Sequence, residues 1–233
     1  SYPDLNNVKA HAVGVNGGVY SFDWETQKYW PFDGTALVFR AYYPYTSNAV
    51  GSHVNISSDH ESLSLSLPVS DPTTMPDVMV ASGNMDADDR PLDKHTVNGL
   101  VNLGEFRHVL SQLTVEVVRK DNTVDPAIQV FDLIVSTVSS SGNLSLDDAQ
   151  LSVADGNAAT YRFINTPTPL TSIPASGYTA FFFPGTQDNV FITIVVGTPI
   201  TNITRSYPIS AFINVNGGEQ DIVLERAKRT TVR

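Results

Sequence analysis

The sequence of 233 residues predicts an all-β protein of the sandwich type. Short segments rich in β-branched and aromatic residues recur along the whole chain, and clusters of Gly, Pro, Asn and Asp separate them. Hydrophobic residues make up 41% of the chain and charged residues 16%, which supplies enough apolar material for a packed core. No internal repeat is evident, so solenoids and propellers lose support.

Individual strands follow from local patterns. Residues 36–43 form an aromatic and β-branched run that Pro44 closes. Leu63, Leu65 and Leu67 alternate with serines, so that one face is apolar and the other carries hydroxyls, and we predict a half-buried strand. Further strands are predicted at residues 19–24, 114–118, 128–138, 178–183, 190–196, 207–215 and 221–224.

Residues 106–117 fit both a helix and a strand. Apolar residues recur there at helical spacing, yet Leu113, Val115 and Val117 also alternate with polar residues. Because β-branched residues become denser toward the end of this stretch, we favour a short lead-in followed by a strand.

The length of the chain fits one large β domain or two smaller ones. A polar segment at residues 84–102 interrupts the strands and holds Asp86, Asp88, Asp89 and Asp93. We interpret this segment as a connection between domains and place the boundary near Gly104. The predicted domains are an N-terminal β-sandwich at residues 1–103 and a C-terminal β-sandwich at residues 104–233.

The formal net charge of −10 argues against nucleic acid or an anionic membrane surface as a partner. Four basic residues lie among the last nine, so an acidic body ends in a basic tail. The absence of Cys excludes disulfides, thiolate zinc sites and cysteine nucleophiles. The chain opens at Ser1 in a polar segment, which we interpret as a trimmed or processed terminus.

Motifs for catalysis and cofactor binding are missing from the sequence. It has no phosphate-binding glycine loop, no G-x-S-x-G serine elbow and no two-histidine zinc motif, and its five histidines are scattered. The Asp-rich segment lacks the ligand spacing of a calcium loop, and paired carboxylates alone do not indicate a glycosidase. We therefore predict no catalytic residue, no metal site and no cofactor.

An aromatic cluster is the candidate binding surface. Tyr42, Tyr43 and Tyr45 follow Trp24, Tyr29 and Trp30, and together these rings could form a stacking platform for sugars or a surface for a partner. The alternative is that most of them belong to the core or cover the mouth of the sandwich, since they lie on or beside predicted strands.

Four segments, taken in order, resemble the fimbrillin family, the subunits of type V pili in Bacteroidetes. They are Trp30-Pro31 and residues 37–45, 76–81 and 106–115. The similarity covers residues 30–118 and is thinner beyond, where residues 181–184 and 217–224 occupy corresponding places. The lipidated cysteine and amino-terminal strand of the family are missing from this chain, as is the tryptophan that many members carry before their last strand.

The resemblance implies two tandem transthyretin-like β-sandwich domains and a non-enzymatic structural subunit of a fimbria. It also implies export as a lipoprotein precursor, display on the outer membrane and polymerisation with other pilin subunits. In the family an arginine-specific protease removes the first strand, and a strand donated by a neighbour fills the resulting groove, which is a form of β-augmentation.

The candidate polymerisation strand is Ile222, Val223 and Leu224, which could also be a last structural strand before a frayed tail. Two other functional classes stay open. The first is a monomeric surface glycan-binding module that uses the aromatic segment 24–45. The second is a secreted hydrolase that uses the carboxylates of residues 86–93, and it requires a cleft with a raised carboxyl pKa.

Overall fold

The structure is a computed structural model that describes residues 6–17, 19–68, 71–83, 92–95, 101–119, 124–137, 139–154, 159–164, 166–171, 177–184, 190–211 and 229–232. Within these residues the chain forms strands and two single 3-10 turns, at Pro72–Thr74 and Ile209–Ala211. The all-β prediction is confirmed. The strands are β1 Ala10–Asn16, β2 Val19–Trp24, β3 Phe39–Tyr43, β4 Val54–Ile56, β5 Ser62–Ser66, β6 Met79–Gly83, β7 Arg107–His108, β8 Ser111–Val115, β9 Gln129–Thr137, β10 Ser141–Ser145, β11 Leu151–Val153, β12 Ala159–Ile164, β13 Thr168–Pro169, β14 Tyr178–Phe182, β15 Phe191–Gly197, β16 Asn202–Pro208 and β17 Arg229–Val232.

The strands form five sheets, numbered 1 to 5 below. Sheet 1 is the hairpin β1-β2, and sheet 2 has the order β3-β6-β7. Sheet 3 has the order β11-β10-β5-β4, and sheet 4 is β12-β9-β15-β16, with β13 also paired to β9. Sheet 5 has the order β14-β8-β17. Among the described strands every pairing is antiparallel except that of β17 with β8, which is parallel.

One apolar cluster runs through sheets 2 to 5, from Val54 to Ile209. The period-two pattern of β5 places Leu63 and Leu65 in this cluster, and both are buried as predicted. Each fully buried leucine contributes about 1.5–3 kcal/mol relative to an exposed one. Strand β8 is covered on both faces, since Thr114 is buried on the face opposite to Leu113 and Val115.

Several predicted strands are confirmed with shifted ends. The favoured interpretation of residues 106–117 is correct, because β7 is a two-residue lead-in and β8 follows it. The run predicted at 36–43 begins later, at Phe39, since the amide of Leu37 donates instead to the carbonyl of Leu92 at 2.8 Å.

The prediction of a strand at residues 207–215 was wrong in position. The strand is β16, which ends at Pro208, and a 3-10 turn begins at the next residue. Proline has no amide hydrogen to continue the ladder, and the amide of Ile209 donates to the carbonyl of Val190 at 2.9 Å. Residues 212–215 and the strand predicted at 221–224 lie outside the described residues.

Sheet 3 joins strands from both sides of the boundary predicted near Gly104. Strand β5 pairs with β10 over five residues, with Leu63 opposite Leu144. Both leucines are fully buried, so the two segments share a hydrogen-bonded sheet and part of one core. The division into residues 1–103 and 104–233 and the transthyretin-like topology stay predictions. Asp86, Asp88 and Asp89 of the predicted connection lie outside the described residues.

Candidate functional site

The three tyrosines of the predicted binding surface do not share a face. Tyr42 and Tyr43 are neighbours on β3, so their side chains point to opposite sides of sheet 2. Tyr42 packs against the core, and its hydroxyl donates to the side-chain oxygen of Asn7 and lies 3.4 Å from the carbonyl oxygen of Thr46. Burial raises the pKa of the Tyr42 phenol. Tyr42 therefore fastens the chain after β3 to the N-terminal segment.

The other two tyrosines reach solvent. Tyr43 is 52% exposed and Tyr45 is 42% exposed, and the ammonium of Lys9 lies 5.9 Å from the centroid of the Tyr45 ring. Upstream, Trp30 packs edge-on against Phe39 at 5.7 Å between ring centroids. The use of Tyr42, Tyr43 and Tyr45 as a binding surface stays a prediction, with Tyr42 in a structural position.

Sheet 1 is an exposed apolar hairpin. All side chains of β1 and β2 are exposed, and Tyr20, Phe22 and Trp24 alternate along β2 on one face. The rings of Tyr20 and Phe22 lie 6.4 Å apart, and Phe22 contacts Phe106 at 6.1 Å. A two-stranded hairpin is marginally stable alone, so the contact with Phe106 helps to hold this one in place.

The C-terminal strand is the main feature that the sequence analysis missed. Ile222, Val223 and Leu224 lie outside the described residues, and the strand that the structure places in a sheet is β17, Arg229–Val232. From sequence alone these last residues are interpreted as a basic tail. The signal in the sequence is the β-branched run Thr230-Thr231-Val232 inside that tail.

A row of threonines fixes the register of β17. Thr231 lies opposite Thr114 of β8, and Thr114 lies opposite Thr179 of β14. Thr114 and Thr231 are buried, and the hydroxyl oxygens of Thr114 and Thr179 are 2.8 Å apart. A one-residue slip of β17 would move Thr231 to the other face of sheet 5, so the buried row disfavours such a slip.

The described sheet edges differ in how they are closed. Asn48 blocks the outer edge of β4: its side-chain amide donates to the carbonyl of Ile56 at 2.8 Å, and the amide of Ile56 donates to the Asn48 side-chain oxygen at 2.7 Å. The side chain thus takes the place of a neighbouring strand, which protects an edge from unwanted pairing.

Strand β16, at the edge of sheet 4, instead carries apolar side chains into solvent. Ile203 is 48% exposed and Tyr207 is 43% exposed. They lie opposite Val196 and Ile192 of β15, respectively. Because Ile192 is buried, this is the face of sheet 4 that packs on the core. The core-facing side of sheet 4 therefore reaches solvent along β16.

The described residues offer little for catalysis. No group of three or more His, Asp or Glu residues in this part of the chain is placed to hold a metal ion. The carboxylate of Asp93 accepts from the amide of His95 at 2.7 Å, which is a turn contact. A hydrogen bond from the Ser57 side chain holds the pKa of Asp59 below its usual value, again in a turn. Across the described ranges, no helix has the length and apolar character needed to cross a membrane.

The fold is similar to that of a solved structure from Bacteroides uniformis, described as a candidate cell adhesion protein, with 14% identity, a TM-score of 0.60, and coverage of 96% of this chain and 78% of the other. A similarly described structure from Bacteroides ovatus matches with 15% identity and a TM-score of 0.43, over 82% of this chain and 64% of the other. No curated protein matches. The family model described as fimbrillin-like matches residues 2–233, and the chain therefore belongs to the fimbrillin-like family.

Proposed function

We propose that this protein is a structural subunit of a cell-surface fimbria that polymerises by exchange of a β-strand between neighbouring subunits and contributes to adhesion. Membership of the fimbrillin-like family supports the assembly with other pilin subunits. We also propose that its precursor is lipidated and displayed at the outer membrane, and that the subunit has no enzymatic activity. The observation that carries it is the position of β17 at the edge of sheet 5.

Strand β17 has the properties of an exchangeable element. It comprises four residues near the end of the chain, and it pairs only with β8 among the described strands. Strand β8 contributes Leu113 and Val115 to the core, so the edge it offers belongs to a rigid part of the molecule. A β17 strand from a second copy would meet the same backbone groups and the same Thr114, so exchange costs little in pairing energy.

The charge distribution and the length of chain before β17 also favour exchange. The acidic body of one subunit attracts the basic residues around β17 of another. Seventeen residues separate Ala211 from Arg229 in the sequence, and an extended chain of that length spans at most about 60 Å. This length is sufficient for β17 to reach a neighbouring molecule.

Cysteine pairing tests the exchange directly, because the chain has no Cys of its own. Thr114 and Thr231 lie directly opposite each other on adjacent strands. Adjacent strands are about 4.8 Å apart, within the range of about 4.4–6.8 Å between Cα atoms that a disulfide bridges. We prepare Thr114→Cys and Thr231→Cys as separate proteins, mix them under assembly conditions and oxidise them. Exchange predicts a covalent dimer in the mixture that joins one chain of each kind. Either protein incubated alone at the same concentration should yield no dimer, because it lacks the opposing cysteine.

The double variant, with both substitutions in one chain, is the control for geometry. It should form an internal disulfide when it is oxidised as a dilute monomer. If the double variant closes its disulfide while the mixture yields no covalent dimer, β17 stays in its own subunit and this mode of assembly is wrong.

A further inference from the structure

The outer face of sheet 3 has an unusual composition. Residues directly opposite each other on paired strands share a face, so the register assigns this face without ambiguity. The inner face carries the buried leucines of β5 and β10. The outer face carries only serine and asparagine at all of its paired positions, namely Asn55, Ser62, Ser64, Ser66, Ser141, Asn143, Ser145 and Ser152.

Sheet stability does not account for this choice. Asparagine is depleted in strands, and β-branched residues such as threonine fit a solvated sheet face better. A net charge of −10 indicates that the chain uses acidic residues freely elsewhere, yet this face has no charge at all. The side chains of this face are therefore less stabilising in a strand than β-branched residues would be, but they are small, neutral hydrogen-bonding groups.

Part of this face borders a shallow recess that is open to solvent and has a volume of about 470 Å³. Its lining includes the row Asn55, Ser64, Asn143 and Ser152, one residue from each of the four strands. Leu65, Gly142, Val153 and Ala154 also line it, so the hydrogen-bonding groups alternate with apolar surface. Four strands about 4.8 Å apart make this row about 14 Å long. The recess is therefore long enough for several units of a chain-like ligand.

The side chains in this row are available to a ligand. Within the described structure, Ser64, Asn143 and Ser152 make no side-chain hydrogen bond to another residue, and all three are exposed. Asn55 is partly engaged, since its side-chain amide donates to the carbonyl of Ser52 at 3.0 Å, which leaves its side-chain oxygen to accept. Asparagine and serine both donate and accept, so the row can satisfy either role in a partner.

The chemistry of the face selects among classes of partner. Protein interfaces are enriched in aromatic residues, Met and Arg at their centres and depleted in Ser, and this face has none of the former. Nucleic acid and anionic lipid require positive charge, and hard cations are held mainly by carboxylates, which this face lacks. A neutral ligand that is rich in hydroxyl groups is the class that remains.

We propose that the recess on the outer face of sheet 3 binds a neutral oligosaccharide, whose hydroxyl groups hydrogen-bond to the side chains of Asn55, Ser64, Asn143 and Ser152. This goes beyond assembly and does not depend on it, because sheet 3 and β17 use different strands. It also differs in place from the aromatic segment 24–45, so the two can be distinguished by experiment.

The test uses the whole chain at a concentration where light scattering shows a monomer. The protein is applied to immobilised cello-, malto-, xylo-, manno- and chito-oligosaccharides and neutral mucin-type glycans, with sulfated and sialylated glycans for comparison. We expect saturable binding to at least one neutral glycan. Titration of that glycan against Asn143→Ala should show binding weakened about three- to tenfold, the effect of one lost hydrogen bond.

Asn202→Ala is the matched control, since Asn202 is also an exposed asparagine on a strand but lies in sheet 4, and its affinity should equal that of the wild type. A second readout needs no variant: amide chemical shifts should move on β4, β5, β10 and β11 when the glycan is added. Lack of binding to every neutral glycan overturns the proposal. So does a set of shifts centred on Tyr43 and Tyr45, or a concentration-dependent dimer that Asn143→Ala abolishes. None of these results bears on strand exchange, which the cysteine mixture tests separately.

Discussion

Tyr161 offers a sharp test of the core. The side chain lies on β12 and is 1% exposed, and its hydroxyl has no hydrogen-bond partner among the described residues. Its ring packs edge-on against Phe182, at 5.4 Å between centroids. A buried hydroxyl without a partner costs about 1–3 kcal/mol relative to water, whereas an apolar group of the same shape does not. Tyr161→Phe keeps the ring contact and removes this cost, so we expect the free energy of unfolding to rise by about 1 kcal/mol.

Urea denaturation followed by fluorescence measures this difference, with Tyr20→Phe as the control because Tyr20 is 60% exposed in the hairpin. The control should stay within about 0.5 kcal/mol of the wild type. A loss of stability of about 1 kcal/mol or more in Tyr161→Phe, the magnitude of a broken hydrogen bond, would show that the hydroxyl is satisfied and that the reasoning is wrong.

Because of Tyr161, we also expect the free energy of unfolding to depend on pH in the alkaline range. Burial raises the pKa of the Tyr161 phenol above the ordinary value of about 10 for a tyrosine. The unfolded chain can ionise at about pH 10 while the folded chain cannot, so this contribution to stability is complete below about pH 10 and is lost as the pH rises further. Above about pH 10, each such tyrosine lowers the free energy of unfolding by about 1.4 kcal/mol per pH unit. Tyr161→Phe should remove the contribution of Tyr161 to this slope. The contribution of Tyr42, whose pKa is also raised, should remain.

Two further substitutions test the closed edge and the packing of sheet 3. Asn48→Ala removes both hydrogen bonds to Ile56 and leaves a non-glycine residue at a positive φ of 56°, so we expect a loss of about 2 kcal/mol in thermal unfolding and greater self-association through β4. An unchanged melting temperature would mean that water replaces the side chain at no cost. Gly142→Ala places a Cβ 2.8 Å from a ring carbon of Phe183 and should cost about 1–3 kcal/mol, whereas Gly14→Ala meets nothing within 4 Å and should be close to neutral. Equal effects of the two changes would contradict the close packing of β10.

The fold was predictable where a strand carries its own pattern. The alternation of Leu63 and Leu65 with serines identified β5 and both of its faces. Strand β10 had no such signal, because Ser141–Ser145 contains one leucine among Ser, Gly and Asn, residues that are typical of a turn. Its strand conformation depends on pairing with β5, which lies far away in the sequence, and such tertiary effects override local propensity.

The candidate surfaces show the same limit. Alternation along β3 separates Tyr42 from Tyr43, and this was readable from the sequence once the strand was known. Part of the outer face of sheet 3 was predictable, since the serines of β5 alternate with its leucines. The asparagines and the recess of this face arise only when four strands are brought together. Strand β17 was hidden because the charge of its neighbours dominates the local pattern and its β-branched run is only three residues long.

The geometry of strand exchange also determines the product of assembly. A reciprocal exchange between two copies closes a dimer, whereas exchange in which each copy donates to the next leaves one free β8 edge and continues as a fibre. The double variant Thr114→Cys, Thr231→Cys separates these outcomes if it is assembled while reduced and oxidised afterwards, since every exchanged strand then becomes a covalent link. A fimbria requires the open arrangement, so denaturing electrophoresis should show a ladder of species well beyond the dimer. Covalent products that stop at the dimer would mean that β17 swaps reciprocally, and the fibre would then need a different donor strand.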